Sequence, residues 1–452
     1  MLKTTETRPF KVNTVSNAIR WQQLSILSFA LTMMPMLIHA DGPPDWSTLS
    51  VEQSKSKMTA EEAVIYAFQR SPDISKALSQ INKGKAKVDE VKSAYYPQIG
   101  MSAGYGRARE ASYGPQLKQL LYDFGKTSNS VDGQQNLTDS YRQDLKKSMT
   151  NVAANTLLSY SSVKRYLGLI KVSQDSIDSL SQVRDMARLR VEAGLNPQSD
   201  ILQAETRIAL LKTTLEQYRT QLNAAQANLA TLTGRNASDL AEMPGNLKKI
   251  TIKPDAINYS EIAAMQSALA RQRAAEANVS QQKAQYLPDI SVEASRTRQF
   301  VRNDAYWDNQ LGVSVNVPIY QGGAVSARVN QAEQDVLAAR SDVNLVKLTV
   351  DQQASAAFAN WHGADAREQL SISQIDIAQH TRSLYRDEYK LSERSLNDLL
   401  SVEQDVYQAN SGKIVAHFDV QDAAINYAVA LDNLLPLLDV DNTVEKDLPN
   451  IQ

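Results

Sequence analysis

The chain has 452 residues, a formal charge of −2, no cysteine and four histidines. That length allows two or three ordinary domains or one elongated one. Without cysteine there is no disulfide framework, no thiolate nucleophile and no lipidated cysteine at a new N-terminus. The near-neutral balance argues against a nucleic-acid partner. His39, His362, His380 and His417 are scattered without companion ligands at useful spacing, so neither a metal nor another cofactor is expected.

The first forty residues have the pattern of a signal peptide. Lys3, Arg8, Lys11 and Arg20 form a basic start, "LSILSFALTMMPMLI" (24–38) an apolar run, and "IHA" precedes Asp41 with a small residue at the cut. The competing reading is a retained membrane anchor; Pro35 and the short apolar run favour cleavage, which would leave a chain of charge about −5. No later window holds the roughly 20 apolar residues of a transmembrane helix. Residues 41–58 are a polar segment.

From residue 59 an approximate duplication organises the chain. The first copy spans 59–234. It opens on "TAEE", where Thr59 and Glu62 have capping-box spacing. A hairpin is predicted over about 98–121, a long helix over 126–192 and a further helix over 199–233. A linker follows over 235–258. The second copy spans 259–437, with a hairpin over about 289–318, a long helix over 324–391 and helices over 397–437; residues 438–452 form a polar tail. "AYYPQI" (94–99) corresponds to "QYLPDI" (285–290), and Tyr122 in "LLYDFGK" to Tyr320 in "VPIYQGG". Each long helix breaks at a polar stretch, "VEAGLNPQSDIL" in one copy and "YKLSERSLNDLL" in the other. Asp200 and Asp398 stand in register there.

Two periods coexist. Ile201, Ala204, Ile208, Leu211, Leu215, Tyr218, Leu222, Ala225, Leu229 and Leu232 recur at 3,4 spacing, the seam of a left-handed supercoil. Helices of such length, on the order of 100 Å, suit fibres, tethers and tubes. In "LGVSVNVPIY", by contrast, Leu311, Val313, Val315 and Val317 share one face and Gly312, Ser314, Asn316 and Pro318 the other. That alternation suits a membrane β-barrel strand. Two hairpins give four strands, which cannot close a barrel alone, and an open edge in lipid leaves backbone groups unpaired. Several chains would therefore share one barrel.

The duplication, "YYPQI" and "YLPDI" before the hairpins, "PIYQGG" after the second and "AGLNPQSD" at the first helical turn resemble the TolC family of outer-membrane efflux and secretion channels. The resemblance runs from about Met58 to Leu438. It implies a mixed α/β membrane protein: a homotrimer whose 12-stranded outer-membrane barrel, four strands per chain, continues as a periplasmic α-helical coiled-coil barrel. The turns at 193–200 and 391–398 would form the periplasmic tip, where a periplasmic adaptor (membrane fusion) protein and an inner-membrane ABC exporter or RND pump dock. The family's gate carries over to Asp200, Tyr389 and Arg394, and a cation-selective ring to Asp398. A second ring has no counterpart, since Ser401 holds that place and Glu403 faces elsewhere. Adaptor docking carries over to Gly194, Leu195, Ser392 and Glu393. Ser392 stands where the family has glycine, which puts the shape of the second turn in question. Tyr122, Phe124, Tyr286 and Tyr320, at strand ends, suit interfacial aromatics in contact with outer-membrane lipid.

Each of these residues has a plainer reading too. Asp200 and Asp398 can be turn or cap residues, Gly194 a helix stop, Arg394 a solvated arginine, and the aromatics packing residues. The lone SxxK spacing at Ser161 and Lys164 has no companion motif, and no phosphate loop or HExxH occurs, so no enzyme is expected. The resemblance implies an exit duct for either a secreted protein or a small toxic molecule. The absence of a lipidated cysteine tilts the reading toward type I protein secretion over multidrug efflux. A periplasmic coiled-coil adaptor or tether without a pore is the alternative of another class; it would not explain two amphipathic hairpins between matched helices.

Overall fold

The structure is a computed structural model that describes residues 57–105, 111–243, 253–301, 304–438 and 440. The signal peptide expected over 1–40, most of the polar segment after it and the tail beyond 440 lie outside the described residues. In chain order the elements are α1 (Ala60–Arg70), α2 (Pro72–Lys92), β1 (Gln98–Tyr105), β2 (Ala111–Tyr122), α3 (Lys126–Glu192), α4 (Ser199–Thr233), α5 (Ala263–Ala284), β3 (Asp289–Val301), β4 (Asp304–Asn316), α6 (Ala324–Lys390), α7 (Leu396–Ala430) and the single turn α8 (Leu434–Leu437). β4 stops two residues short of the expected 318 because Pro318 has no N–H to continue the ladder.

The two long helices each run 67 residues, about 100 Å at 1.5 Å per residue. The helices after them each run 35 residues. No helix among the described residues is long and apolar enough to cross a membrane. α1 starts at the capping box read from the sequence: Thr59 Oγ1 accepts from Glu62 N (3.2 Å) and Glu62 Oε2 from Thr59 N (2.9 Å). Strand gives way to helix through left-handed residues in both halves, Phe124 and Gly125 in the first, Gly322 and Gly323 in the second. In the first, buried Asp123 satisfies the orphan N–H groups of Gly125 (3.1 Å) and Thr127 (2.7 Å).

Two cores hold the helices. One gathers α1, α2, the middle of α3 and the end of α7 around Phe68, Leu157, Tyr160 and Tyr427. There the Tyr160 hydroxyl bridges the carbonyls of Met58 (2.9 Å) and Ala241 (2.7 Å), tying the residue just before the first copy to the segment after α4. The other core lies where the long helices end. Leu180, Val183 and Ala187 of α3, Ala204 and Ile208 of α4, Tyr389 of α6 and Leu396, Leu399 and Leu400 of α7 meet in it. Along α4 only Ala204, Ile208, Leu215 and Leu229 of the supercoil seam are fully buried within the chain.

The four strands form one antiparallel sheet in the order β1-β2-β3-β4, so the hairpins join through β2 and β3. Residues directly opposite in an antiparallel pair share a face. The register therefore puts Ile99, Leu117, Ala294 and Leu311 in one row of one face. Ile290, Val292, Val313 and Val315 extend that apolar face. The opposite face carries Ser102, Gln116, Lys118, Glu293, Ser295 and Gln310, with Lys118 and Glu293 paired at 3.2 Å. Gly114 allows β2 to approach β3, since a Cβ there would lie 2.0 Å from the Arg296 carbonyl oxygen. The outer strands β1 and β4 have no partner beyond them among the described residues.

Candidate functional site

The two helical turns are built alike. In the first, Ala193, Gly194 and Leu195 donate to the carbonyls of Leu189, Val191 and Arg190. In the second, Leu391, Ser392 and Glu393 donate to those of Asp387, Tyr389 and Glu388. Gly194 has φ 69° and Ser392 φ 64°. Serine in place of glycine therefore leaves the bonding pattern intact, at a left-handed cost of about 1–2 kcal/mol that a Cβ brings. Leu195 and Leu391 are exposed beside the turns, at 66% and 69%.

Arg190, which the sequence reading passed over, joins the turns. Its Nη1 donates to the Tyr389 carbonyl (2.7 Å), its Nη2 to Ser392 Oγ (2.7 Å) and its Nε to Asn196 Oδ1 (3.0 Å). The guanidinium also lies over the Tyr389 ring, 4.9 Å from its centre. The signal was available: Arg190 is the last basic residue before a helix stop. Its partners, though, lie 199 and 202 residues away.

Asp200 accepts from Asn196 Nδ2 (2.6 Å), which places it at the same junction. Tyr389 is 1% exposed, and its hydroxyl has no hydrogen-bond partner among the described residues. Burial pushes its pKa up, with Arg190 opposing and Asp200 adding to the shift. Arg394 is not brought to Asp200. It donates from Nε to Glu388 Oε2 (2.8 Å) and lies over the Tyr385 ring (4.3 Å). Asp398 closes a capping box, accepting from Ser395 N (3.3 Å) and Ser395 Oγ (2.8 Å) while Ser395 Oγ accepts from its N–H (3.2 Å). Glu403 is 4% exposed. It accepts from Arg386 Nε (2.8 Å) and Ser179 Oγ (2.7 Å), so it binds α6 and α7 to α3.

At the other end, Tyr122, Phe124, Tyr286 and Tyr320 are all exposed where the sheet meets the helices, and Tyr122 and Phe124 meet edge to face at 4.6 Å. A second aromatic group was missed. Tyr105, Tyr113, Phe300 and Trp307 stand near the hairpin tips on the apolar face. The sheet thus carries an apolar band, Leu311 80% exposed within it, between two sets of exposed aromatics. Of the SxxK pair, Ser161 is fully buried and Lys164 pairs with Glu242 at 2.6 Å. Among the described residues no group of three or more metal-ligand side chains is placed to hold an ion.

The model of the outer membrane efflux protein family matches this chain twice, over residues 66–235 and 261–435, one match for each copy of the repeat. The chain belongs to that family. Efflux proteins of this family are channels, not enzymes, and this one is an outer-membrane efflux channel of a tripartite system, with its helices extending into the periplasm. Among relatives, it is 24% identical to the outer membrane efflux protein BepC of Brucella suis biovar 1 (strain 1330), covering 82% of this chain and 85% of BepC. It is 22% identical to the outer membrane protein TolC of Escherichia coli (strain K12), covering 86% and 87%. Among solved structures, the outer membrane protein VceC of Vibrio cholerae superposes with a TM-score of 0.71 at 15% identity, covering 82% of this chain and 96% of VceC. As in other efflux proteins of tripartite systems, an adaptor and an inner-membrane transporter complete the machine.

Proposed function

We propose that this efflux protein is a homotrimer whose 12 strands close one barrel, and that it conducts cargo passively from an inner-membrane transporter to the exterior. The observation that carries the reading is the sheet: an apolar face between aromatic rims, with β1 and β4 both unpartnered on their outer edges among the described residues. In lipid each unpaired edge group costs several kcal/mol, so β4 of one chain pairs with β1 of the next. The polar face, with Lys118, Glu293 and Gln310, then lines the lumen.

At the periplasmic tip, Asp200, Tyr389 and Arg394 hold the closed state between neighbouring coils, and three Asp398 carboxylates ring the axis and favour cations. Arg394 can serve this role by exchanging Glu388 for a neighbour's acceptor, a modest step because exposed ion pairs contribute only about 0–1 kcal/mol. Gly194, Leu195, Ser392 and Glu393 receive the adaptor; the exposed Leu195 supports this. The cargo is a protein delivered by an ABC exporter, a preference that rests on the cysteine-free sequence; small molecules delivered by an RND pump are the second reading.

The mass of the purified protein in detergent tests the assembly: three chains are expected, and a monomer contradicts it. Asp200→Ala and Arg394→Ala are each expected to raise conductance, and unchanged values for both count against the gate. Deletion of the gene separates the cargoes. Loss of a secreted protein with unchanged tolerance to toxic small molecules supports secretion, and the reverse supports efflux.

A further inference from the structure

The apolar face does not stay apolar to the hairpin tips. One row beyond Leu117, Ala294 and Leu311 stands Arg296, opposite Asn309, and two rows beyond stands Arg298, between Tyr113 and Trp307. Both guanidiniums lie over the Trp307 indole, 4.8 and 5.5 Å from its centre. Arg298 also lies 5.9 Å from the ring of Phe300, which stacks on Tyr113 at 5.8 Å. Neither arginine has a carboxylate partner among the described residues, although their neighbours on the polar face do.

Height decides what these cations meet. From Val317, just past the end of β4, to Trp307 is ten residues, about 33 Å of extended chain and about 23 Å once tilted by roughly 45°. That is close to the apolar band of an outer-membrane barrel, about 25 Å tall, so Trp307 stands near its upper edge. Arginine on the lipid face costs about 2–4 kcal/mol at the midplane but only about 0–1 at the interface. The hairpin tips lie at the end of the sheet opposite the periplasmic helices, so the interface in question is that of the outer leaflet.

We propose that Arg296 and Arg298, held in place by Trp307, form a binding site for the phosphate groups of the outer-leaflet glycolipid. Stacking on the indole face leaves the N–H edges of each guanidinium free, and those edges match phosphate oxygens in a planar fork. It also orders the side chains before the ligand arrives. A girdle needs no charge. Two cations sharing one indole repel each other unless an anion lies between them, which favours a ligand over simple stacking.

The proposal rests on the barrel reading, and its test separates the two. Native mass spectrometry of the detergent-purified protein is titrated with bisphosphorylated lipid A, with dephosphorylated lipid A and with phosphatidylglycerol. The wild-type chain is expected to bind bisphosphorylated lipid A about tenfold more tightly than either of the others, the scale of one to two interfacial arginines. R296Q/R298Q is expected to lose that preference, and R296K/R298K to keep part of it. Equal wild-type binding of phosphorylated and dephosphorylated lipid A overturns the site, without reliance on any variant. Wild-type binding of phosphatidylglycerol as tight as that of lipid A overturns the glycolipid assignment. An undiminished preference in R296Q/R298Q overturns the role of these arginines. Channel formation by the same preparations reports on the barrel independently, so its absence sinks the barrel reading, whereas channels without lipid preference sink only the site.

Discussion

At the scale of single residues, the periplasmic tip depends on side chains with two duties. Arg190 binds Asn196 in its own turn and holds the other through two hydrogen bonds and the Tyr389 ring. Arg190→Met is expected to cost about 2 kcal/mol, the range for bonds to a charged group, and to raise single-channel conductance by loosening α6 from α3; a melting curve and a bilayer recording check the two effects. Asp398 both caps α7 and supplies the proposed ring. Asp398→Asn keeps a capping acceptor and removes the charge, so cation selectivity is expected to fall with the melting temperature nearly unchanged, as read from reversal potentials. Unchanged selectivity leaves Asp398 as a cap alone. The residue types at the turns were legible because 198-residue register aligned them. Their partners were not. Arg394 has Glu388, six residues earlier, and Tyr385. Arg190 reaches Tyr389 and Ser392 only where the ends of α3 and α6 meet, a proximity no local period encodes.

At the scale of elements, periodicity carried most of the fold. The 3,4 seam of α4 and the alternation of β4 each bury or display the face they predict. β2 was harder to read because its alternation is interrupted by Gly114 and Pro115 and by an irregularity between Leu120 and Tyr122. The upper aromatic rim was missed for a related reason. Tyr105, Tyr113, Phe300 and Trp307 are spread over four strands, and only the register gathers them. Between the helices, Glu403 is the costly element. A buried carboxylate held by Arg386 and Ser179 loses much when neutralised. Glu403→Gln is expected to destabilise by about 3 kcal/mol, the lower end for breaking a buried pair. Thermal unfolding checks this, and a shift within about 0.5 kcal/mol would show the pair to be dispensable.

At the scale of the whole molecule, the chain is incomplete on its own terms. Its sheet exposes an apolar face and two edges that are unpaired among the described residues, and α4 and α6 bury little more than a narrow seam. α6 leaves Leu345, Leu348, Leu370, Ile377 and Leu384 exposed along its length. In the proposed assembly, lipid covers the first and further copies of the chain cover the rest. The duplication made the hairpins and the paired helices visible in sequence, and the count of four strands is what pointed to a barrel shared between chains.

Single-channel recording of the purified protein in a planar lipid bilayer tests that assembly most directly. Discrete, cation-selective conductance steps are expected, larger in Asp200→Ala. A protein that inserts without conducting, or that does not enter the bilayer at all, contradicts the channel and with it the barrel.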